Sequence, residues 1–143
     1  MVLVAKDILE KEFLSMPGDT SLFKAAQQMK TSRHGFVIVV NNERTPIGIV
    51  TEWDVISKVV AEGKDPRNVK LEELMTRDLI TVDPDIGIDE LSQFMATKGI
   101  RRVLVVRAGT VLGVITSRTV LARLKSYVDR VSTQIARLHS QTR

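Results

Sequence analysis

The 143-residue sequence predicts an α+β protein: two β-α-β-β-α repeats packed about a pseudo-two-fold axis, followed by a long C-terminal helix. Three observations lead there. Gly48-Ile49-Val50-Thr51 recurs as Gly113-Val114-Ile115-Thr116, 65 residues on, and the run 36–40 recurs at 102–106, 66 residues on. A fixed offset of this size marks a duplicated supersecondary unit. Each recurring pair consists of two β-branched apolar runs separated by turn formers, the pattern of paired strands. From Leu121 onward, Leu124, Val128, Val131, Ile135 and Leu138 follow at alternating spacings of 3 and 4, an apolar helix seam.

In chain order, each copy opens with a short extended piece, residues 14–16 or 80–82, and a bend rich in Asp with Gly or Ser. A helix follows. Residues 21–30 carry Leu22, Ala25, Ala26 and Met29 at helical spacing, and residues 88–98 carry Leu91, Phe94 and Met95. Next come the paired strands 36–40 with 47–51, and 103–106 with 111–116. The connecting turn of the first copy is one residue longer, which accounts for the two offsets. A second helix starts at Thr51 or Thr116. The polar stretch 61–68 breaks the pattern between copies. These signals divide the chain into repeat 1 (5–62), a linker (63–70), repeat 2 (71–124) and a basic amphipathic tail (125–143). A unit of about 60 residues is marginal alone, so the copies are expected to pack on each other. Strands this uniformly apolar are expected to be buried on both faces.

Composition narrows the function. No apolar run approaches the roughly 18 residues of a membrane span, and the opening Met1-Val2-Leu3-Val4-Ala5-Lys6 is too short for the apolar region of a signal peptide, so a cytoplasmic location is expected. Cysteine is absent and the only histidines are His34 and His139, which leaves metal and thiolate chemistry poorly supplied. No nucleophile stands beside a base at any readable spacing, and the reading is non-enzymatic, with no metal site and no required cofactor. The net charge of +4 belongs to the tail: residues 118–143 hold six Lys or Arg against Asp129 alone.

Thr51 and Asp54 admit two readings. A strand ending in Thr, with a carboxylate three residues on and a helix following, is a capping box. The same pair suits a ribose, whose hydroxyls donate to a carboxylate in charge-assisted bonds. In the second copy Thr116 keeps the hydroxyl, but Thr119 stands where the carboxylate would be. Arg101 and Arg102 open the second copy's apolar strand, where the first copy has Gly35 and Phe36 preceded by Arg33 and His34. Charges there serve either as gatekeepers beside an aggregation-prone run or as a bidentate grip on phosphate. Trp53, the one tryptophan, is expected at a subunit or repeat interface.

Both copies resemble the cystathionine-β-synthase (CBS) domain, and the chain from Ala5 to about Leu124 is similar to a stand-alone tandem pair, or Bateman module. The segments that carry the likeness are Lys6-Asp7-Ile8-Leu9, matched loosely by Glu72-Glu73-Leu74-Met75-Thr76, and Gly48-Ile49-Val50-Thr51-Glu52-Trp53-Asp54, which carries the family's glycine, apolar strand end and Thr/Ser, x, x, Asp ending. The resemblance implies a regulatory module that senses AMP, ADP or ATP, or S-adenosylmethionine, in the cleft between repeats. Thr51 and Asp54 would hold the ribose and Arg101, Arg102 and His34 the phosphates. Ser15, Met16, Pro17, Phe36 and Val37 would wall the adenine. A weaker second site would use Thr116 and Thr119, and be empty, weak or selective for an uncharged ligand. The partners implied are an adenosine nucleotide, a second copy of the chain and an unidentified effector protein. The basic tail leaves an alternative open, an oligomeric scaffold or nucleic-acid-associated protein acting through that helix.

Overall fold

The computed structural model describes residues 3–141. The first copy runs α1 (Ala5–Ile8), β1 (Leu14–Pro17), α2 (Leu22–Ser32), β2 (Phe36–Val40), β3 (Pro46–Thr51) and α3 (Glu52–Val55), the last continuing as a π-helical turn over Ile56–Val60. The second runs α4 (Leu71–Leu74), β4 (Thr81–Val82), α5 (Ile88–Lys98), β5 (Arg102–Arg107), β6 (Thr110–Thr116) and α6 (Ser117–Gln141). Each copy forms a three-stranded sheet, β1-β2-β3 or β4-β5-β6, with the first pair parallel and the second antiparallel. Both hairpins shift register at equivalent points, between Val39 and Val40 and between Val105 and Val106. The architecture is the one the repeat predicts.

Strand alternation assigns the faces. Val37 and Val39 of β2 face α2 with Leu22, Ala25 and Met29. Phe36 and Ile38 point the other way and meet Leu104 and Val114 of the second sheet, forming a third core between the repeats. Val103 and Val105 of β5 pack with Leu91 and Met95 of α5. Residues 36–39 are all buried because one face is covered by a helix and the other by the sister sheet.

The opening turn of each copy lies on the opposite copy. Ala5 and Ile8 of α1 sit in the core of Leu91, Met95 and Val103, whereas Leu71, Leu74 and Met75 sit in the core of Leu22, Val37 and Val50. The backbone contacts come in equivalent pairs. Ala5 N donates to Ile86 O (2.9 Å) as Leu71 N does to Thr20 O (3.0 Å), and Glu10 bridges Val114 as Thr76 bridges Ile49. The crossing explains the glycine that begins each recurring tetrapeptide. A Cβ on Gly113 would stand 2.6 Å from the Glu10 carbonyl oxygen, and one on Gly48 would meet the Met75 thioether. The copies are thus related by a pseudo-two-fold axis and clasped by exchanged segments.

The stretch between copies is docked on α2: a 3₁₀ turn at Pro66–Asn68 is capped by Asp65, and the Arg67 guanidinium lies 4.5 Å from the Phe23 ring centroid. Helix α6, 25 residues long, leaves Leu121, Leu124, Val128, Ile135 and Leu138 at least half exposed. Among the described residues, no helix is long and apolar enough to cross a membrane.

Candidate functional site

Thr51 ends β3 and caps α3. Its hydroxyl accepts from Asp54 N (3.3 Å) and donates to Asp54 Oδ2 (3.1 Å), while Asp54 Oδ2 also accepts from Thr51 N (2.8 Å). Both arms of the capping box are therefore made, as the S/T-x-x-acid spacing dictates. Asp54 Oδ1 is paired with Lys58 Nζ at 3.0 Å, one helical turn on, and the same ammonium donates to the Leu74 carbonyl (3.0 Å). Asp54 is the buried charge of the molecule among the described residues, at 6% exposure. It stands behind Thr51 rather than on the open wall.

Thr51 and Ile49 form one side of a cleft of about 160 Å³ between the repeats, and Asp78, Leu79, Ile80 and the β5 entrance, Arg101 and Arg102, form the other. The sister sheet's packing places them there: Arg102 points to the inter-repeat face, as its equivalent Phe36 does from the opposite repeat. The Arg102 guanidinium carbon lies 5.2 Å from the Phe36 ring centroid, a cation–π contact across the pseudo-two-fold axis. Its Nε is buried and makes no hydrogen bond within the chain. A buried guanidinium N–H with no acceptor is costly, and an anionic group in the cleft would satisfy it.

The structure brings Thr51, Arg101 and Arg102 to one cleft. It does not bring the residues expected around the adenine there. Because β1 runs parallel to β2, with Leu14 beside Val37 and Pro17 beside Val40, the later residues of β1 lie toward the hairpin end, away from Thr51. Ser15 and Pro17 line a separate cavity of about 680 Å³ near the hairpin turns. Met16 and Val37 pack in the first core, and Phe36 in the inter-repeat core. The parallel β4 brings the residues just before it, Asp78 to Ile80, to the cleft instead; the strand's direction was the signal for them. His34 is half-buried and edge-on to Phe36, with ring centroids 6.4 Å apart, outside the cleft lining. Lys58 was legible as an i,i+4 partner of Asp54.

At the second copy the same cap is neutral. Thr116 N donates to Thr119 Oγ1 (3.3 Å), Thr119 N donates to Thr116 Oγ1 (3.1 Å), and the two hydroxyls are 3.0 Å apart. Thr119 Oγ1 in turn donates to Glu10 Oε1 at 2.9 Å. Glu10 lies 109 residues away in sequence, and no local pattern announces it. Among the described residues, no group of three or more His, Cys, Asp or Glu stands together as a metal site.

A family model for the CBS domain matches residues 5–61 and again 71–126, and the chain belongs to this family as a tandem pair. It is 37% identical over 106 residues to an uncharacterised protein of Methanopyrus kandleri, covering 73% of this chain and 54% of that one. It is 31% identical over 118 residues to a homoserine O-acetyltransferase of Methanococcus vannielii, covering 82% of this chain but 24% of that protein. The chain thus spans about half or less of these relatives. Among solved structures, a CBS domain pair in complex with 5′-methylthioadenosine and S-adenosyl-L-methionine matches with TM-score 0.75 and 30% identity, covering 88% of this chain and 98% of that one. A hexameric CBS-CP12 protein from bloom-forming cyanobacteria matches with TM-score 0.76 and 33% identity, over 85% and 67%.

Proposed function

We propose that this chain is a non-enzymatic regulatory module that binds an adenosine-containing ligand between its repeats and reports occupancy to a partner protein. Location in the cytoplasm and assembly as a homodimer belong to the same reading. The observation that carries it is the cleft itself: the Thr51 hydroxyl on one wall, Arg101 and Arg102 on the other, and an Arg102 Nε that lacks an acceptor. Thr51 and Asp54 take the ribose. A carboxylate offers about four lone-pair sites, and Asp54 uses three, on Thr51 N, Thr51 Oγ1 and Lys58 Nζ. Arg101 and Arg102 take the phosphates of AMP, ADP or ATP. The relative that holds S-adenosyl-L-methionine and 5′-methylthioadenosine supports the adenosine half of the reading and brings those ligands within it.

A cleft of about 160 Å³ is smaller than the 300–1,000 Å³ of ordinary ligand pockets. Entry of a nucleotide must part the repeats and draw Arg102 from Phe36, so occupancy and inter-repeat geometry are linked. Such differential affinity for two arrangements is what signalling requires.

The test is calorimetry and thermal melting with AMP, ATP, 5′-methylthioadenosine and S-adenosylmethionine. A true ligand at 100 times Kd stabilises by about 2.7 kcal/mol. Phosphorylated ligands should fill one site per chain, and Arg102→Ala should weaken them about tenfold to a hundredfold, the worth of one charge-assisted hydrogen bond. 5′-Methylthioadenosine should be insensitive to that change. Absence of any shift with all four, or two equal sites for AMP, defeats the proposal.

A further inference from the structure

Helix α6 outruns the core that starts it. Val120 is packed on the second repeat's core, whereas from Leu121 to Ser140 every residue except Val131 is exposed. That exposed stretch is a rod of about 30 Å. Helices draw most of their stability from packing an amphipathic face, and this one has such a face to pack. Leu121, Leu124, Val128, Val131 and Ile135 fall within an arc of about 80° around the helix axis. Tyr127 stands at one edge of that arc. Beyond it Arg123, Arg130 and Arg137 recur every seven residues, which makes a row down the helix with members about 10.5 Å apart. Lys125 flanks the other edge, and the back carries the small polar groups of Ser126, Thr133 and Ser140. The helix holds five Lys or Arg against Asp129 alone, and Asp129 is paired with Lys125 at 3.5 Å.

We propose that α6 lies along an anionic lipid bilayer, its aliphatic face among the acyl chains and its arginine row among the phosphate headgroups, so that the module is held at a membrane surface. The helix is not apolar enough to cross. A narrow aliphatic face with cationic flanks and a polar back is instead the composition of a helix that lies in the interface plane. Arginine suits the flank, because its aliphatic stem covers apolar surface while the guanidinium reaches outward to the headgroups. Tyr127, at the border of the two faces, has the apolar body and polar tip that fit headgroup depth. The same residues argue against two rival occupants. A polynucleotide would meet the arginines but leave five aliphatic side chains in water. The helix of a second copy would cover the aliphatic face, but Lys125, Ser132, Tyr127 and Gln134 flank the seam and bring no acid to pair with the incoming cations. A bilayer with anionic headgroups satisfies both faces at once.

Co-sedimentation of the full chain with vesicles of equal parts phosphatidylglycerol and phosphatidylcholine tests this. Wild type should partition onto them and not onto phosphatidylcholine alone, and added salt should weaken the partition. Changing Arg123→Gln, Arg130→Gln and Arg137→Gln together should weaken it on the order of a hundredfold, about fivefold for each charge at an anionic surface. Val128→Asp with Ile135→Asp should abolish it, and because both positions are exposed the melting curve should stay that of the wild type. The chain has no cysteine, so a polarity-sensitive fluorophore can be attached at Val128→Cys or at Ser126→Cys alone. On vesicles the label at 128 should shift to the blue and the label at 126 should not. A wild type that stays in the supernatant up to about 1 mM lipid, equal partition onto neutral vesicles, or two labels that respond alike would each overturn the proposal. In the first case, retention on poly(U) RNA would assign the arginines to a nucleic acid, and a dimer split by the changes at Val128 and Ile135 would assign the seam to a second copy.

Discussion

Two caps of the same backbone design close the two repeats, and they differ in what they hold. At Thr51 the cap contains the Asp54 carboxylate, steadied by Lys58, and faces Arg101 and Arg102 across a cleft. At Thr116 it contains the Thr119 hydroxyl, which reaches Glu10, and the equivalents of the two arginines are Gly35 and Phe36. One end of the module has cations facing the charged Thr51–Asp54 cap across the cleft. The other has the Glu10 carboxylate turned on the Thr119 hydroxyl and no arginine opposite, an unfavourable place for a phosphate. The pseudo-two-fold duplicates the backbone while the side chains differ, so the unlike character of the two ends is written in three substitutions between copies, not in the fold.

The crossing segments provide the largest test of this comparison, because the same glycine is pressed against different neighbours. In Gly113→Ala the new Cβ meets the Glu10 carbonyl, main chain in an exchanged bridge that cannot yield without breaking its hydrogen bonds to Val114. In Gly48→Ala it meets the flexible Met75 side chain. Overpacking costs about 1–3 kcal/mol, and we expect Gly113→Ala near the top of that range and Gly48→Ala near the bottom. Denaturant melts of both variants decide it; equal costs would mean that the glycines answer to their own strands and not to the segments that cross them.

A smaller effect separates the caps themselves. Asp54→Ala removes two hydrogen bonds to Thr51 and the ion pair with Lys58, which keeps its bond to the Leu74 carbonyl, and should cost about 2 kcal/mol, the upper end for a helix cap. Thr119→Ala removes a neutral cap and should cost about 1 kcal/mol or less. Chemical denaturation at neutral pH measures both. The ordering reverses only if the Thr119–Glu10 bond, which ties α6 to the exchanged segment, outweighs the charged cap.

These differences set what sequence reading could reach. The strands, helices and their pairing were legible because period and offset are properties of consecutive residues: β2 at 36–40 and α5 at 88–98 lie where their apolar spacing puts them. The facing of Thr51 by Arg102 was legible through the duplication. The exchange of opening turns was not, because Ala5 and Ile8 present the same small apolar face as Leu71 and Leu74, and either face suits either core. The residues expected around the adenine lie outside the cleft of Thr51 and Arg102 for a related reason. Ser15 and Ile38 are paired by a parallel register, and only that register says which end of β1 meets Thr51. Asp54 was identified, but its depth behind Thr51 depends on Lys58 and Leu74, groups gathered from two copies.

The smallest predicted effect concerns the clasp on the second repeat, where Asp85 is paired with Lys6 of α1 (2.9 Å) and Arg107 of β5 (2.7 Å). The equivalents of Lys6 and Asp85 on the first repeat are Glu72 and Asp19, two acids, so only one of the two clasps carries this cation–carboxylate group. The hydrogen bond from Lys6, with the charges of Lys6 and Arg107 adding to it, holds the Asp85 carboxyl below its ordinary range. A carboxyl with a depressed folded-state pKa favours folding above its unfolded value of about 3.9, and that contribution fades as pH falls through the folded value. The melting temperature of wild type should therefore exceed that of Asp85→Asn slightly at pH 6, and the two curves should converge as pH falls through the folded-state value. Because the group is solvent-exposed, the gap at pH 6 should also shrink with added salt. A gap that persists at low pH would assign the effect to packing of α1 on the second core rather than to its charges.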